Sequence, residues 1–304
     1  MPMSTTITSA VRRGLAAVAA IATLCSVAAC GSGASADGAS AGKLAVVASI
    51  NQWGSIAEDL GGDHVDVTAI MSKTNVEAHD YEPTAQDVAR IGSAKVAIVN
   101  GAGYDPWASK AVESTDAALV DAAAAGGVKE GDNPHVWFSS KVRSAAADAI
   151  TAAYSQADPS HKDDYEQLNK DWHAKEDTLE SKIEKISAMT AGLSYAATES
   201  VAWYLADDLG MIDATPKGYK QAAANESEPT AADIKAFQDA LEDGSVKALV
   251  LNTQETNSTT DQITSAAKEG GVPVVELPEQ MPHEYGDLID WMDALVDDFA
   301  SAAK

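Results

Sequence analysis

From Ser160 to Met189 the chain runs without a glycine or a proline, and its apolar residues recur at spacings of three, four and seven. Tyr165, Leu168, Trp172, Leu179, Ile183, Ile186 and Met189 form that stripe, with charged residues between them. Such a period predicts one long amphipathic helix whose stripe is core rather than a cofactor site. Its length suits a rigid strut between two lobes.

The segments flanking the strut read as strands alternating with helices. Leu44–Ile50 and Val65–Met71 have strand character, and a helix pattern between them, Gln52 to Leu60, stops at Gly61-Gly62. Thr84 opens a helix through Ile91 with Asp87 as a capping-box partner, and Val96 to Asn100 reads as a buried strand. A helix is expected from near Ser139. Beyond the strut, Leu193–Thr198 runs into a helix closed by Gly210, Thr230 caps a helix through Leu241, and strands follow at Val246–Asn252 and Val272–Leu277 before a terminal helix from Leu288 to Phe299. Alternation of this kind implies parallel α/β sheets. The fold class is α/β, with two architecturally similar lobes and no detectable sequence repeat.

The first residues belong to targeting. Arg12 and Arg13 precede an apolar run, Leu15 to Val27, that is short for a membrane span. Val27-Ala28-Ala29-Cys30 resembles a bacterial lipobox, in which Cys30 is lipidated and becomes the mature N-terminus. The Gly/Ser/Ala-rich residues that follow read as a tether. The expected organisation is a signal peptide over 1–29, the lipidated cysteine and tether over 30–43, an N-terminal lobe over 44–158, the connecting helix over 159–190 and a C-terminal lobe over 191–304. Both cysteines, Cys25 and Cys30, lie in the leader, so the body has no internal disulfide and no thiolate ligand. A formal charge of −25 argues against nucleic acid and anionic lipid as partners of the domain itself.

Two histidines sit in polar, turn-prone stretches where an imidazole is free to bind: His79 in Glu77-Ala78-His79-Asp80-Tyr81-Glu82-Pro83-Thr84, and His135 in Asn133-Pro134-His135-Val136-Trp137. In open α/β sheets ligands lie beyond the carboxyl ends of strands. That rule picks out His79, Glu199 directly after Thr198, and Glu279 just past Leu277, while His135 comes from the loop before the helix near Ser139. Two neutral imidazoles and two carboxylates would cancel the charge of a bound dication. Glu276, His283 and Glu284 lie close to Glu279 and stay open as the fourth ligand. His64, His161 and His173 are assigned no part in the site.

With both histidine motifs in this order, the chain resembles the cluster A-I metal-binding solute-binding proteins of ABC transporters, the zinc/manganese family, over essentially all of its mature length. The resemblance implies two lobes joined by a long helix that clamp one ion in the interlobe cleft, with His79, His135, Glu199 and Glu279 as ligands. It also implies capture and delivery without chemical conversion, so no enzyme, and partners in an integral-membrane permease and its cytoplasmic ATPase. The protein would work as a monomer, lipid-anchored through Cys30 at the outer face of a bacterial cytoplasmic membrane. The third ligand is histidine in many zinc-type members and glutamate in manganese-type ones, and here Glu199 stands in its place. Zinc-type members often carry a histidine-rich loop, whereas Ala111 to Gly131 holds no histidine. Carboxylates that bind through one or both oxygens suit Mn²⁺, yet the affinity order favours Zn²⁺, so the cargo is written Mn²⁺ or Zn²⁺. Two other readings stand beside this one: a surface adhesin whose metal is structural, and a metallohydrolase, for which no HExxH motif is present.

Overall fold

The computed structural model describes residues 42–75, 81–225 and 227–304. His79 and Cys30 lie outside the described residues.

Strands β1 (Leu44–Ile50), β2 (Val65–Met71), β3 (Val96–Val99) and β4 (Ala118–Asp121) form one sheet in the order β2-β1-β3-β4. Strands β5 (Ser194–Ala197), β6 (Ile212–Asp213), β7 (Ala248–Asn252) and β8 (Val274–Leu277) form a second, in the order β6-β5-β7-β8. Every pairing in both sheets is parallel. The two sheets share one permutation, so the switch point where strand order reverses falls between β1 and β3 in the first and between β5 and β7 in the second. β3 and β7 are buried at every position, as parallel strands covered by helices on both faces must be.

The alternation expected from the sequence is present, and several boundaries coincide with local signals. The Thr84 side chain accepts from the Asp87 backbone N–H, and the Asp87 carboxylate accepts from the Thr84 N–H, the reciprocal capping box. The first helix, Asn51–Gly61, ends where Gly62 takes φ +51°, and a Cβ on Gly61 would come within 2.2 Å of a Val65 methyl. Only glycine meets both demands without strain. The structure also holds elements not expected from the sequence: helices Pro106–Val112, Lys217–Ala224 and Ser258–Glu269, and strands β4 and β6.

The connecting helix spans Lys162–Thr190 after a short 3-10 turn, Pro159–His161. Tyr165, Trp172, Leu179 and Ile183 are buried as the stripe requires, but Met189 is 53% exposed. The stripe therefore ends a turn early, because the chain leaves the helix at Ala191 to enter β5. Glu176 falls between Trp172 and Leu179 on the buried face, and it too is buried. It pairs with the guanidinium of Arg143 on helix Ser140–Ala157, with Nη2 at 2.5 Å from Oε1.

One hydrophobic core runs through both lobes. It includes Ile50, Trp53 and Trp137 on the N-terminal side and Val250, Leu277 and Trp291 on the other. The terminal helix, Leu288–Ala302, packs against the connecting helix and also touches helix Asn51–Gly61 of the first lobe. Leu288 N–H donates to Ser55 Oγ at 2.9 Å, and the Phe138 and Trp291 rings lie 5.6 Å apart. A shared, close-packed core resists shear, so the lobes are braced by more than one helix. Among the described residues, no helix is long and apolar enough to cross a membrane.

Candidate metal centre

Four strand ends converge at the top of the two sheets. β1 leads into Asn51 and Gln52, β3 into Asn100, β5 into Thr198-Glu199, and β7 ends at Asn252. Asn100 directly follows β3 and Asn252 ends β7, and each organises one half of the site.

Asn100 builds the histidine side. Its Oδ1 accepts from Trp53 Nε1 at 3.0 Å, and its Nδ2 donates to the Pro134 carbonyl at 2.8 Å, one residue before His135. Asn133 completes the loop. Its Oδ1 accepts from the His135 backbone N–H at 3.0 Å and lies 2.8 Å from His135 Nδ1, while its Nδ2 donates to the Ser200 carbonyl of the other lobe at 2.8 Å. An amide oxygen only accepts, so Nδ1 carries a proton, and in the neutral ring Nε2 is the nitrogen whose lone pair can coordinate. The ring is wedged edge-on between Tyr104 and Trp137, at centroid distances of 6.0 and 5.4 Å. His135 is 2% exposed, and its Nε2 has no hydrogen-bond partner among the described residues. A buried acceptor in that condition costs free energy unless something else fills the place.

Asn252 builds the acidic side. Its Nδ2 donates to Glu199 Oε2 at 2.7 Å and to Glu279 Oε1 at 3.0 Å. The Tyr104 hydroxyl donates to Glu279 Oε2 at 2.6 Å, and Gln280 Nε2 donates to that hydroxyl at 3.0 Å. Burial first, and then the Glu279 carboxylate beside it, push the Tyr104 phenol well above its usual range, so it stays a donor. Tyr104 reaches the site through a tight turn. Gly101, Ala102 and Gly103 all have positive φ, Ala102 at +51° despite its side chain. The buried Asp105 carboxylate secures the turn by accepting from the Asn100 and Gly101 N–H groups at 2.7 and 2.9 Å. Left-handed backbone at a non-glycine residue is held only where the surroundings over-determine it.

His135, Glu199 and Glu279 therefore meet, each offering one ligand atom, with those atoms all within 4.8 Å of one another. Nε2 stands 3.5 Å from Glu199 Oε1 and 3.8 Å from Glu279 Oε2. Four ligands around an ion at about 2.0–2.2 Å have neighbouring atoms about 3.3–3.6 Å apart, so the triad is nearly at coordinating distance. Two carboxylates held this close repel each other, and a dication between them relieves that repulsion. The chemistry available is capture of a divalent cation by one imidazole nitrogen and two hard carboxylate oxygens.

Of the alternatives to Glu279, Glu276 points outward from β8, and His283 and Glu284 are exposed. The described chain resumes after His79 at Tyr81, whose hydroxyl donates to Asp87 Oδ2 at 2.9 Å and whose ring packs 5.1 Å from Trp107. The histidines left out of the site lie elsewhere: His64 and His161 stack at 4.0 Å beside the start of the connecting helix, and His173 pairs with Asp148. A cavity of about 700 Å³ opens beside the triad and reaches from Tyr104 and Glu199 to Tyr204 and Lys220. Sequence reasoning missed Tyr104 and the roles of Asn100 and Asn252. The rule of strand carboxyl ends, applied to polar residues as well as to ligands, points to both asparagines.

Comparisons with known proteins agree with the two-sheet architecture. The family model for the periplasmic zinc-uptake complex component A matches residues 46–302. The high-affinity zinc uptake system protein ZnuA of Bacillus subtilis is 26% identical over 263 residues, covering 79% of this chain and 81% of the relative. The manganese-binding lipoprotein MntA of the same organism is 26% identical over 275 residues, covering 86% and 87%. Among solved structures, the periplasmic zinc-binding protein TroA of Treponema pallidum superposes with a TM-score of 0.74 at 18% identity, covering 86% of this chain and 99% of that one. That last likeness is one of fold.

Proposed function

Because this chain belongs to the zinc-uptake complex component A family, we propose that it is the extracytoplasmic metal-binding component of an ABC importer, which captures Mn²⁺ or Zn²⁺ and presents it to a membrane permease driven by a cytoplasmic ATPase. One observation carries the reading: a buried imidazole nitrogen with no hydrogen-bond partner among the described residues faces two carboxylates of the opposite lobe at 3.5 and 3.8 Å. Capture requires no bond to be made or broken in the cargo, and the family's members named above are binding and uptake proteins.

The ligands proposed are His135, Glu199 and Glu279, with His79 as the fourth from the loop that precedes Tyr81. The ion enters as a hydrated dication, drawn by the acidic surface, and exchanges its waters for these side chains at the lobe junction. The continuous core and the bracing terminal helix favour release by local shifts of the ligand loops over wide opening of the lobes. We place the chain on the outer face of the membrane as a monomer anchored through Cys30. Light scattering of the purified chain checks the monomer.

Equilibrium dialysis against Zn²⁺ and Mn²⁺ with metal analysis tests the assignment. The wild-type chain should take up one ion tightly, and His135→Ala and His79→Ala should each lose that uptake while still folding, as far-UV circular dichroism of the apo proteins reads. Undiminished stoichiometry and affinity in both variants would sink it. Uptake should also weaken as pH falls, since protonated imidazole and carboxylate do not coordinate.

A further inference from the structure

Asn252 is placed to decide how many oxygens an ion receives. It is 1% exposed, and both ends of its amide are committed. Oδ1 accepts from the Gln254 N–H at 2.9 Å, and the backbone N–H donates to Thr198 Oγ1 at 3.1 Å, so the side chain is held in one orientation. Its two Nδ2 hydrogens go to Glu199 Oε2 at 2.7 Å and Glu279 Oε1 at 3.0 Å. In each carboxylate the complementary oxygen is the one that faces His135 Nε2.

We propose that Asn252 is a positioning residue that sets metal preference. By holding one oxygen of Glu199 and one of Glu279, it makes each carboxylate meet the ion through a single oxygen and so favours a four-coordinate dication such as Zn²⁺ over Mn²⁺. The proposal rests on the metal-site reading above and deepens it. Chelation by both oxygens of either carboxylate turns the donor-bound oxygen toward the ion and breaks a charge-assisted hydrogen bond to Asn252. Zn²⁺ needs no such turn, since the single oxygens of Glu199 and Glu279 that already face His135 Nε2 suit a four-coordinate shell. Mn²⁺ prefers a larger shell of hard oxygens and gains most from two-oxygen chelation, which the amide withholds. Two glutamates look manganese-like by residue type, but their fixed presentation is zinc-like.

The test is Co²⁺ titration of the full chain, read by visible absorption, with Zn²⁺/Mn²⁺ competition alongside. Four-coordinate Co²⁺ absorbs strongly and higher-coordinate Co²⁺ weakly. Wild type should show intense bands. Asn252→Ala should show weaker bands and a Zn²⁺/Mn²⁺ affinity ratio lower by about tenfold or more, the usual scale for loss of an outer-shell partner. Asn252→Ser keeps one donor, should fall between the two, and serves if the alanine variant does not fold. Weak bands in wild type, or spectra and ratios unchanged in the variants, overturn the proposal while leaving the metal site in place. Failure of wild type to bind Co²⁺, Zn²⁺ or Mn²⁺ at all overturns the metal-site reading itself.

Discussion

Arg143→Met should destabilise this protein far more than the double variant Arg143→Met/Glu176→Leu. Arg143 and Glu176 are 0% and 1% exposed, and they pair through Nε at 3.1 and 3.2 Å and Nη2 at 2.5 Å. Arg143 Nη1 also donates to the Trp137 carbonyl at 3.0 Å, two residues from His135. Removing one partner of a buried pair leaves an uncompensated charge and costs about 3–5 kcal/mol. The orphaned Trp137 carbonyl adds on the order of 1 kcal/mol. Asp208 loses a neighbour as well: burial raises its carboxyl pKa and Arg143 holds it down, so without the guanidinium it rises further. In the double variant both charges are gone and two apolar side chains fill the space, an exchange that is often neutral or stabilising. Only the costs at Trp137 and Asp208 persist, so the net loss should be about 1–2 kcal/mol. Urea denaturation of wild type, both single variants and the double variant closes the cycle, with a coupling energy expected above about 2 kcal/mol. A loss under about 1 kcal/mol in Arg143→Met, or a double variant no more stable than that single one, would refute the reasoning.

Tyr104→Phe removes the hydroxyl that orients Glu279 Oε2 and leaves the ring in the core, so metal affinity should fall by about tenfold or more, with a folding cost of about 1–3 kcal/mol for the buried Glu279 and Gln280 groups that lose their partner. Competition against a chromogenic chelator measures this, and an unchanged Kd would show that the hydroxyl does not position the ligand. Cys30→Ser should move the protein from the membrane fraction to the soluble fraction of its host, because two or more acyl chains on one cysteine are what hold such a domain at a surface. Retention of the serine variant in washed membranes would refute the anchor.

Much of the fold was legible in the chain because its signals are local. A capping threonine with an aspartate three residues on, a glycine pair closing a helix, and a run of β-branched residues each act within a few positions. The boundaries at Leu44–Ile50, Val65–Met71 and Thr84 accordingly agree with the structure. A seven-residue element such as Pro106–Val112 carries little period and takes its form from the sheet it covers, whereas Ser258–Glu269 hides its buried stripe in threonine and alanine, residues that do not read as apolar. Glu176 shows the same limit, since no pattern within its helix says that an arginine from another helix will neutralise it.

The site divides the same way. The strand-end rule nominated His79, Glu199 and Glu279, because open α/β sheets present their carboxyl ends to ligands, and a polar, turn-prone loop nominated His135. How those groups are presented was decided in three dimensions. The tautomer of His135 depends on Asn133, and the oxygens that Glu199 and Glu279 turn toward the nitrogen depend on Asn252 and Tyr104. Asn252 reaches both carboxylates only once the second sheet has formed, and Tyr104 reaches Glu279 only when the two lobes pack; hydrogen-bond direction, unlike residue type, exists only between atoms already in place.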